Sequence, residues 1–171
     1  ADHIGLGGID SMEQMAKVKQ VVPETVFKHG YAILNAEDDL VYAMKDGLQC
    51  NIALFSMDEN NKRIIEHCKN GGYAAVFENG YITIMKGTWK IRVVKVTEVP
   101  VTYGGKATHN IMNCLPAVLS TYFWRNISIE DIKLSLQTFV PSPAQTPGRL
   151  NMFQFKQFKF LVDFAHNPAG L

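Results

Sequence analysis

The first residues able to do chemistry lie near the amino end, where His3 follows Asp2 and Lys19 comes after a glycine-rich stretch. A histidine nitrogen and an oxygen-bearing group can together hold a divalent cation beside phosphate oxygens. The competing interpretation is a surface histidine and a solvated lysine on an amphipathic helix. These residue types alone leave both interpretations open.

A pair of asparagines, Asn110 and Asn113, forms a second candidate site. They are three positions apart, so that on a helix they share one face. Two carboxamides on one face can donate hydrogen bonds to the edge of a purine and accept them from it. Alternatively, Asn110 caps the helix and Asn113 is simply exposed to solvent.

Arg149 is a third candidate, because it follows Thr146, Pro147 and Gly148. The glycine permits a tight backbone turn, and an arginine at a hinge can swing onto a phosphate or a ribose. A simple surface turn is the alternative.

Asp163 and His166 form the fourth candidate, in the segment that ends at Pro168. The apolar residues before Asp163 predict a strand, which would deliver both side chains at its carboxyl end. Open α/β sheets bind their ligands at that end of their strands. A purely structural turn stays open as the alternative.

The hydrophobic pattern that must position these residues alternates between strand and helix. Lys19 falls in a predicted helix that begins after the capping residue Ser11 and ends before Pro23. Alternating strands and helices predict an α/β fold with a mostly parallel sheet covered on both faces. An antiparallel hairpin is expected at its edge, and Pro116 is expected to kink its helix. The predicted helices cover about 12–22, 38–44, 60–69, 108–124 and 129–138, and the strands about 31–35, 51–55, 73–78, 81–85, 89–96, 152–155 and 158–164.

The proline-rich segment from 141 to 148 is incompatible with a helix and marks a domain boundary. We predict a partial domain over 1–140, a hinge over 141–150 (the connector) and the truncated start of a second α/β domain over 151–171. The phenylalanines of this last segment form a cluster too apolar to stay uncovered. This predicts mobility, swapping or a homo-oligomer formed through that segment.

The composition excludes several classes of protein. Hydrophobic residues make up 47% of the chain and charged residues 19%, which is ordinary for a soluble globular protein. A net charge of +1 gives no strong positive field that would attract nucleic acid or an anionic membrane. No apolar run is long enough to span a bilayer, and widely spaced cysteines indicate reduced thiols. We therefore expect a cytoplasmic protein with no nucleic-acid or membrane partner.

Taken in order, the motifs resemble those of the Mur ligase family along nearly the whole chain. The stretches HGYAILNAEDDL, VFENGYITI and AQTPGRLN are similar to the carboxy-terminal ligase module of cyanophycin synthetases. The resemblance implies the central-domain sheet of a Mur ligase, followed by the start of its carboxy-terminal domain. The segments that resemble the family are Asp2-His3, Met12 to Lys19, Gly30 to Asp38, His109 to Asn113, Pro147 to Arg149 and Asp163 to Pro168.

The resemblance implies nucleotide-binding roles for four residues. Asn110 and Asn113 correspond to asparagines that face adenine. Arg149 and Asp163 correspond to an arginine and an aspartate that help to hold ATP.

It also implies metal-binding and catalytic roles. His3 corresponds to a histidine that ligates magnesium. Lys19 corresponds to a lysine that is carbamylated by CO₂, with Lys17 as the alternative. His166 lies in the matching turn of the family pattern, and we expect a catalytic role for it.

The implied activity is ATP-dependent formation of an amide bond, with ATP and Mg²⁺ as cofactors. A cyanophycin synthetase adds arginine to the β-carboxylate of a poly-aspartate backbone through an acyl phosphate. The family's phosphate-binding loop is expected upstream of residue 1, so the chain by itself is expected to be inactive. Peptidoglycan-precursor ligases, folylpolyglutamate ligases and an inactive structural fragment stay open as alternatives.

Overall fold

The structure, a computed structural model, describes residues 4, 5 and 7–165. In this part of the chain, helices and strands alternate up to the third strand, as the hydrophobic pattern predicts. The helices are α1 (Met12–Glu24), α2 (Asp39–Ala43), α3 (Lys62–Lys69), α4 (Thr108–Tyr122) and α5 (Ile129–Thr138). The strands are β1 (Tyr31–Asn35), β2 (Asn51–Ser56), β3 (Tyr73–Glu78), β4 (Tyr81–Lys86), β5 (Trp89–Lys95), β6 (Asn151–Phe155) and β7 (Phe158–Val162).

The main sheet has five strands in the order β1-β2-β3-β4-β5. Strands β1, β2 and β3 are parallel, whereas β4 and β5 are added antiparallel at one edge. The turn between β3 and β4 has positive φ at Asn79 (50°) and Gly80 (83°). Asn and Gly tolerate this backbone, which favours a tight hairpin. The predicted mixed α/β sheet and its edge hairpin are confirmed.

Apolar residues on both faces of the sheet explain why helices cover both. Ala53 and Ala75 face one cluster, together with Leu115 and Leu119 of α4. Leu54 and Ala74, which neighbour them in the strands, face the opposite side of the sheet, where Ile64 and Cys68 of α3 cover them. Because successive strand side chains alternate between faces, strands this apolar must be buried on both sides.

Helix α4 runs antiparallel to the parallel strands. Phe123, which follows the helix, stacks on Tyr31 with ring centroids 3.7 Å apart and meets the ring of Tyr73 edge-on at 5.4 Å. Tyr31 and Tyr73 are the first residues of β1 and β3, and α4 packs along β1, β2 and β3. The other end of α4, with Asn110 and Asn113, therefore lies toward the carboxyl ends of these strands.

One proline prediction needs correction. Helix α1 begins as expected, with the Ser11 hydroxyl accepting from the Gln14 amide, but it ends at Glu24 and not at Val22. Pro23 is tolerated because it lies in the last turn, where the Thr25 amide bonds back to Val22 and Pro23. Helix α4 continues through Pro116, and the predicted kink there stays a prediction.

The connector contains neither helix nor strand, and β6 and β7 beyond it pair with each other in a separate two-stranded sheet. The side chains of Phe153, Phe155, Phe158 and Phe160 are between 43% and 59% exposed. The apolar cluster expected here is therefore present and uncovered by the described residues. Whether it forms a homo-oligomer stays a prediction. None of the described helices has the length and apolarity needed to cross a bilayer.

Glu78, at the end of β3, is a nearly buried carboxylate, with 8% of its side chain exposed. The Lys90 ammonium bonds to it, the Thr83 hydroxyl donates to it at 3.3 Å, and Arg92 lies 3.8 Å away. The hydrogen bond from Lys90 holds the pKa of Glu78 below its usual value. This ion pair ties β5 to the end of β3 across β4.

We predict that Lys90→Met lowers the free energy of unfolding at neutral pH by about 1 kcal/mol, since Lys90 is half exposed and its charge is screened. Glu78 has a lowered pKa in the folded state, so its stabilising effect is present above the unfolded pKa of ~4.3 and lost as pH falls through the folded value. The variant should therefore lose less stability than the wild type on acidification. Urea unfolding at several pH values measures this, with Lys95→Met as the control. Equal acid sensitivity of both proteins would contradict it.

Candidate nucleotide site between two helices

A cleft of about 360 Å³ lies between α4 and α5, and it contains both asparagines singled out by the sequence. Its walls are mostly apolar. Its two asparagines lie at the end of α4 that points toward the carboxyl ends of the parallel strands, where α/β folds bind ligands. The lining residues are Val101, Asn110, Asn113, Cys114, Ala117, Val118, Thr121, Ile132, Ser135, Leu136 and Phe139.

Asn110 does not cap α4, which was one of the two interpretations of the sequence. The capping position is Ala107, which makes no side-chain cap. The side-chain amide of Asn110 instead donates to the carbonyl of Val101 at 2.7 Å. This bond uses one N–H of the carboxamide and leaves the other N–H and the oxygen free toward the cleft.

Asn113 is exposed, and its carboxamide has no hydrogen-bond partner among the described residues. It lies on the same helix face as Asn110, as the spacing predicts. The two side chains together offer donors and acceptors beside an apolar cleft. Such a combination fits a flat heteroaromatic ring with a polar edge.

Cys114 lines the same cleft but is not a nucleophile. Burial raises the pKa of its thiol to about 11. A thiol with this pKa is almost entirely protonated at neutral pH, and the thiolate is the reactive form. Cys114 therefore contributes apolar surface to the cleft.

Arg149 and Asp163 lie together beyond the cleft, where the connector meets the hairpin. The carboxylate of Asp163 accepts from the Leu150 amide at 2.8 Å, and the Phe164 amide donates to the Gly148 carbonyl at 2.7 Å. Arg149 is exposed, with its guanidinium carbon 5.6 Å from the centroid of the Phe164 ring. These bonds place Asp163 against Leu150, the residue that follows Arg149.

Tyr103 joins this turn to the domain that contains the cleft, and the sequence did not single it out. Its hydroxyl donates to the carbonyl of Leu150. Tyr103 comes two residues after Val101, whose carbonyl binds Asn110. A continuous path of bonds therefore runs from Asn110 to Asp163. The signal available in the sequence was the Gly104-Gly105 pair after Tyr103, a mark of an irregular, tight loop.

The structure does not join Lys19 to the other candidates. Lys19 and Lys17 are both exposed on α1, and neither has a hydrogen-bond or ion-pair partner among the described residues. Helix α1 packs on α2 and on the 3₁₀ turn Met44–Gly47. His3 and His166 lie outside the described residues. Within residues 4, 5 and 7–165, no three or more His, Cys, Asp or Glu residues cluster as metal ligands.

Two polar residues of the motif from Gly30 to Asp38 have structural roles. The Asn35 carboxamide oxygen accepts from the Glu37 amide at 2.9 Å, and Asp38 caps α2 by accepting from the Val41 amide at 2.9 Å. Asn35 ends β1 and Asp38 follows it, at the carboxyl edge of the sheet. The motif therefore shapes the loop between β1 and α2.

Comparison with curated proteins finds similarity along the whole chain. The chain is 48% identical over 170 residues to the cyanophycin synthetase of Synechocystis sp., a match that covers 99% of this chain and 19% of that protein. It is also 48% identical over 169 residues to the cyanophycin synthetase of Geminocystis herdmanii. The chain thus spans about a fifth of the length of these relatives.

A more distant similarity is found to a second group of ligases. The UDP-N-acetylmuramate--L-alanine ligase of Acetivibrio thermocellus is 27% identical over 161 residues, which is 91% of this chain and 29% of that ligase. No family model matches the chain. The predicted resemblance is nevertheless confirmed: over its whole length this chain is similar to a segment of cyanophycin synthetases, with distant similarity to a Mur ligase.

Proposed function

We propose that this chain is part of an ATP-dependent ligase that forms amide bonds, and that the α4–α5 cleft receives the adenine of ATP. The observation that supports this best is the position of Asn110 and Asn113 beside an apolar cleft at the ligand-binding edge of an α/β sheet. The relatives at 48% identity are named synthetases and those at 27% are named ligases, in agreement with this chemistry.

The free groups of the two asparagines match the edge of adenine. Adenine presents an exocyclic amine as donor and ring nitrogens as acceptors. Asn110 retains one N–H and its oxygen after bonding to Val101, and Asn113 retains its whole carboxamide. The aliphatic side chains of Val118 and Ile132 would cover the faces of the ring. An apolar slot with a few polar groups is the usual form of such a site.

We propose that the connector acts as a hinge between a partial central domain, residues 1–140, and the start of a second domain, residues 151–171. Arg149 is exposed and precedes Leu150, whose amide binds Asp163, so both can reach a ribose or a phosphate from the second domain. Closure of such a hinge over the bound nucleotide would exclude water from the reacting groups. Water exclusion protects an acyl phosphate, which otherwise hydrolyses.

The proposed reaction begins when a substrate carboxylate attacks the γ-phosphorus of ATP, which forms an acyl phosphate and releases ADP. An amine then attacks the acyl carbon and releases phosphate. Two anions approach each other in the first step, so cationic groups must neutralise charge. Bound Mg²⁺ would supply part of that neutralisation.

Residues of this chain fit a magnesium role only in part. Mg²⁺ is usually held by one or two protein oxygens together with phosphate oxygens and water, so a cage of several acidic residues is not required. Lys19 is exposed and unpartnered among the described residues, so a carbamate on its amine could offer such an oxygen. We assign the Lys19 carbamate to one magnesium ion, His3 to another and a catalytic role to His166, all from the family pattern alone.

We further propose that the longer protein joins arginine to the β-carboxylate of poly-aspartate. The support is the difference between 48% identity to cyanophycin synthetases and 27% identity to a UDP-N-acetylmuramate--L-alanine ligase. A peptidoglycan-precursor ligase is the second candidate, on the strength of that distant similarity. Turnover of the longer protein with arginine and poly-aspartate, against L-alanine and UDP-N-acetylmuramate, separates the two.

The 171-residue chain by itself should release no phosphate from ATP, with or without magnesium, arginine and a poly-aspartate primer. The reason is that a γ-phosphate needs a cradle of backbone amides and a lysine, and the sequence contains no such glycine loop. A colorimetric phosphate assay against a protein-free blank measures this. Magnesium-dependent release by the purified chain would contradict the proposed location of the site.

AMP should nevertheless bind weakly in the α4–α5 cleft and shift the NMR signals of the Asn110 and Asn113 side-chain amides. Asn113→Ala should weaken AMP about five- to tenfold, the value of about one net hydrogen bond. Asn70→Ala removes another exposed carboxamide and serves as the control. Asn113 is the better choice for substitution, because Asn110 also holds Val101. Unchanged affinity in Asn113→Ala would rule out this placement of adenine.

In the longer enzyme, Lys19→Ala should be nearly inactive and partly rescued by short carboxylates, which can replace the oxygens of a carbamate but not an ammonium. Lys17→Ala, on the same exposed helix, should retain activity. His3→Ala should lower turnover by orders of magnitude with the fold intact. Steady-state kinetics with and without added formate measures these effects. A severe defect in Lys17→Ala with a silent Lys19→Ala would show that the functional lysine is Lys17.

A further inference from the structure

The loop between β5 and α4, residues 96–107, is rigid because a buried threonine organises it. The Thr102 side chain is fully buried, and its hydroxyl lies 2.6 Å from the Val96 carbonyl and 2.8 Å from the Val99 carbonyl. The same oxygen accepts from the Gly105 amide at 3.0 Å. A buried hydroxyl with every bond made fixes the backbone around it.

This rigid loop contacts the cleft on one side and the connector on the other. Val101 accepts the bond from Asn110 inside the cleft. Two residues later, the Tyr103 hydroxyl donates to the carbonyl of Leu150. Tyr103 has a left-handed backbone, with φ at 51°. If a ligand in the cleft moves this loop, the hydrogen bond from Tyr103 therefore transmits the movement directly to Leu150.

Both backbone polar groups of Leu150, its N–H and its carbonyl, are hydrogen-bonded. Its carbonyl accepts from Tyr103, and its amide donates to Asp163 at 2.8 Å. Leu150 also has a left-handed backbone, with φ at 47°, which a non-glycine residue keeps only when its surroundings impose it. The next residue, Asn151, is buried and accepts from the Gly148 amide at 2.7 Å. Tyr103 supplies the bond that ties this turn to the larger domain.

We propose that Tyr103 is a positioning residue that couples occupation of the α4–α5 cleft to the position of the connector. This inference rests on the proposed function, since the occupant of the cleft is an adenine nucleotide. A base that binds Asn110 restricts that side chain, and with it Val101, Tyr103 and the Leu150 peptide. Arg149 is adjacent to Leu150, so the same bond sets where the guanidinium can reach.

The test is amide hydrogen exchange of the 171-residue chain, followed by NMR with and without AMP. In the wild type, AMP should slow exchange at Leu150 and Phe164. In Tyr103→Phe, which keeps the ring and loses the hydroxyl, exchange at Leu150 should be about five- to tenfold faster without nucleotide. AMP should then protect Leu150 no further, although it still shifts Asn113. Tyr81→Phe, which removes a tyrosine hydroxyl elsewhere, should behave as the wild type.

A purely structural Tyr103 would give faster exchange by the same factor with and without AMP, and this result would overturn the coupling. Unchanged exchange in Tyr103→Phe would overturn the contact itself. Should Tyr103→Phe fold poorly, Tyr103→Asn replaces it, because asparagine tolerates a left-handed backbone. Absence of any AMP shift at Asn113 in the wild type overturns the proposed function and the coupling together. An AMP shift at Asn113 with no change at Leu150 overturns the coupling alone.

Discussion

The packing of α4 across the parallel strands fixes the position of both candidate asparagines, Asn110 and Asn113. Leu115, Val118 and Leu119 bury one face of the helix completely, and the stacking of Phe123 on Tyr31 sets its direction. Burial of side chains of this size contributes roughly 1.5–3 kcal/mol each, so a shift of the helix along the sheet would be costly. Asn110 and Asn113 are therefore held near the carboxyl ends of the parallel strands by contacts made farther along the helix.

Polar groups that are buried and fully bonded define the second part of the site. Thr102 rigidifies the loop before α4, and Asn151 does the same for the turn after the connector. Tyr103 joins these two rigid pieces with one hydrogen bond. A bonded network of this kind has few alternative arrangements, since each broken bond would leave a buried group unsatisfied. It gives the described part of the chain a physical connection between the cleft and the residues that follow the connector.

The exposed surfaces are consistent with a chain that is similar to one segment of much longer proteins. The hairpin of β6 and β7 presents Phe155 and Phe158 to solvent, and α1 has no buried residue at all. Lys19 lies on the exposed face of this helix, away from any described contact with the cleft. Within the described residues, no cluster of three or more His, Cys, Asp or Glu residues lies beside Lys19.

The sequence by itself determined the strands, the helices and the family resemblance. The spacing of apolar residues, the helix-capping residues and the turn residues each specify the backbone over only a few positions. Ser128 and Asp131 show this, since the predicted start of α5 is an actual capping box. Asn110 and Asn113 could be predicted to share a face for the same reason. Only the tertiary structure decided that Asn110 binds Val101, that Asp163 binds Leu150, and that Tyr103 lies between them. These contacts join residues up to 47 positions apart, and no local pattern specifies which distant carbonyl a hydroxyl will meet.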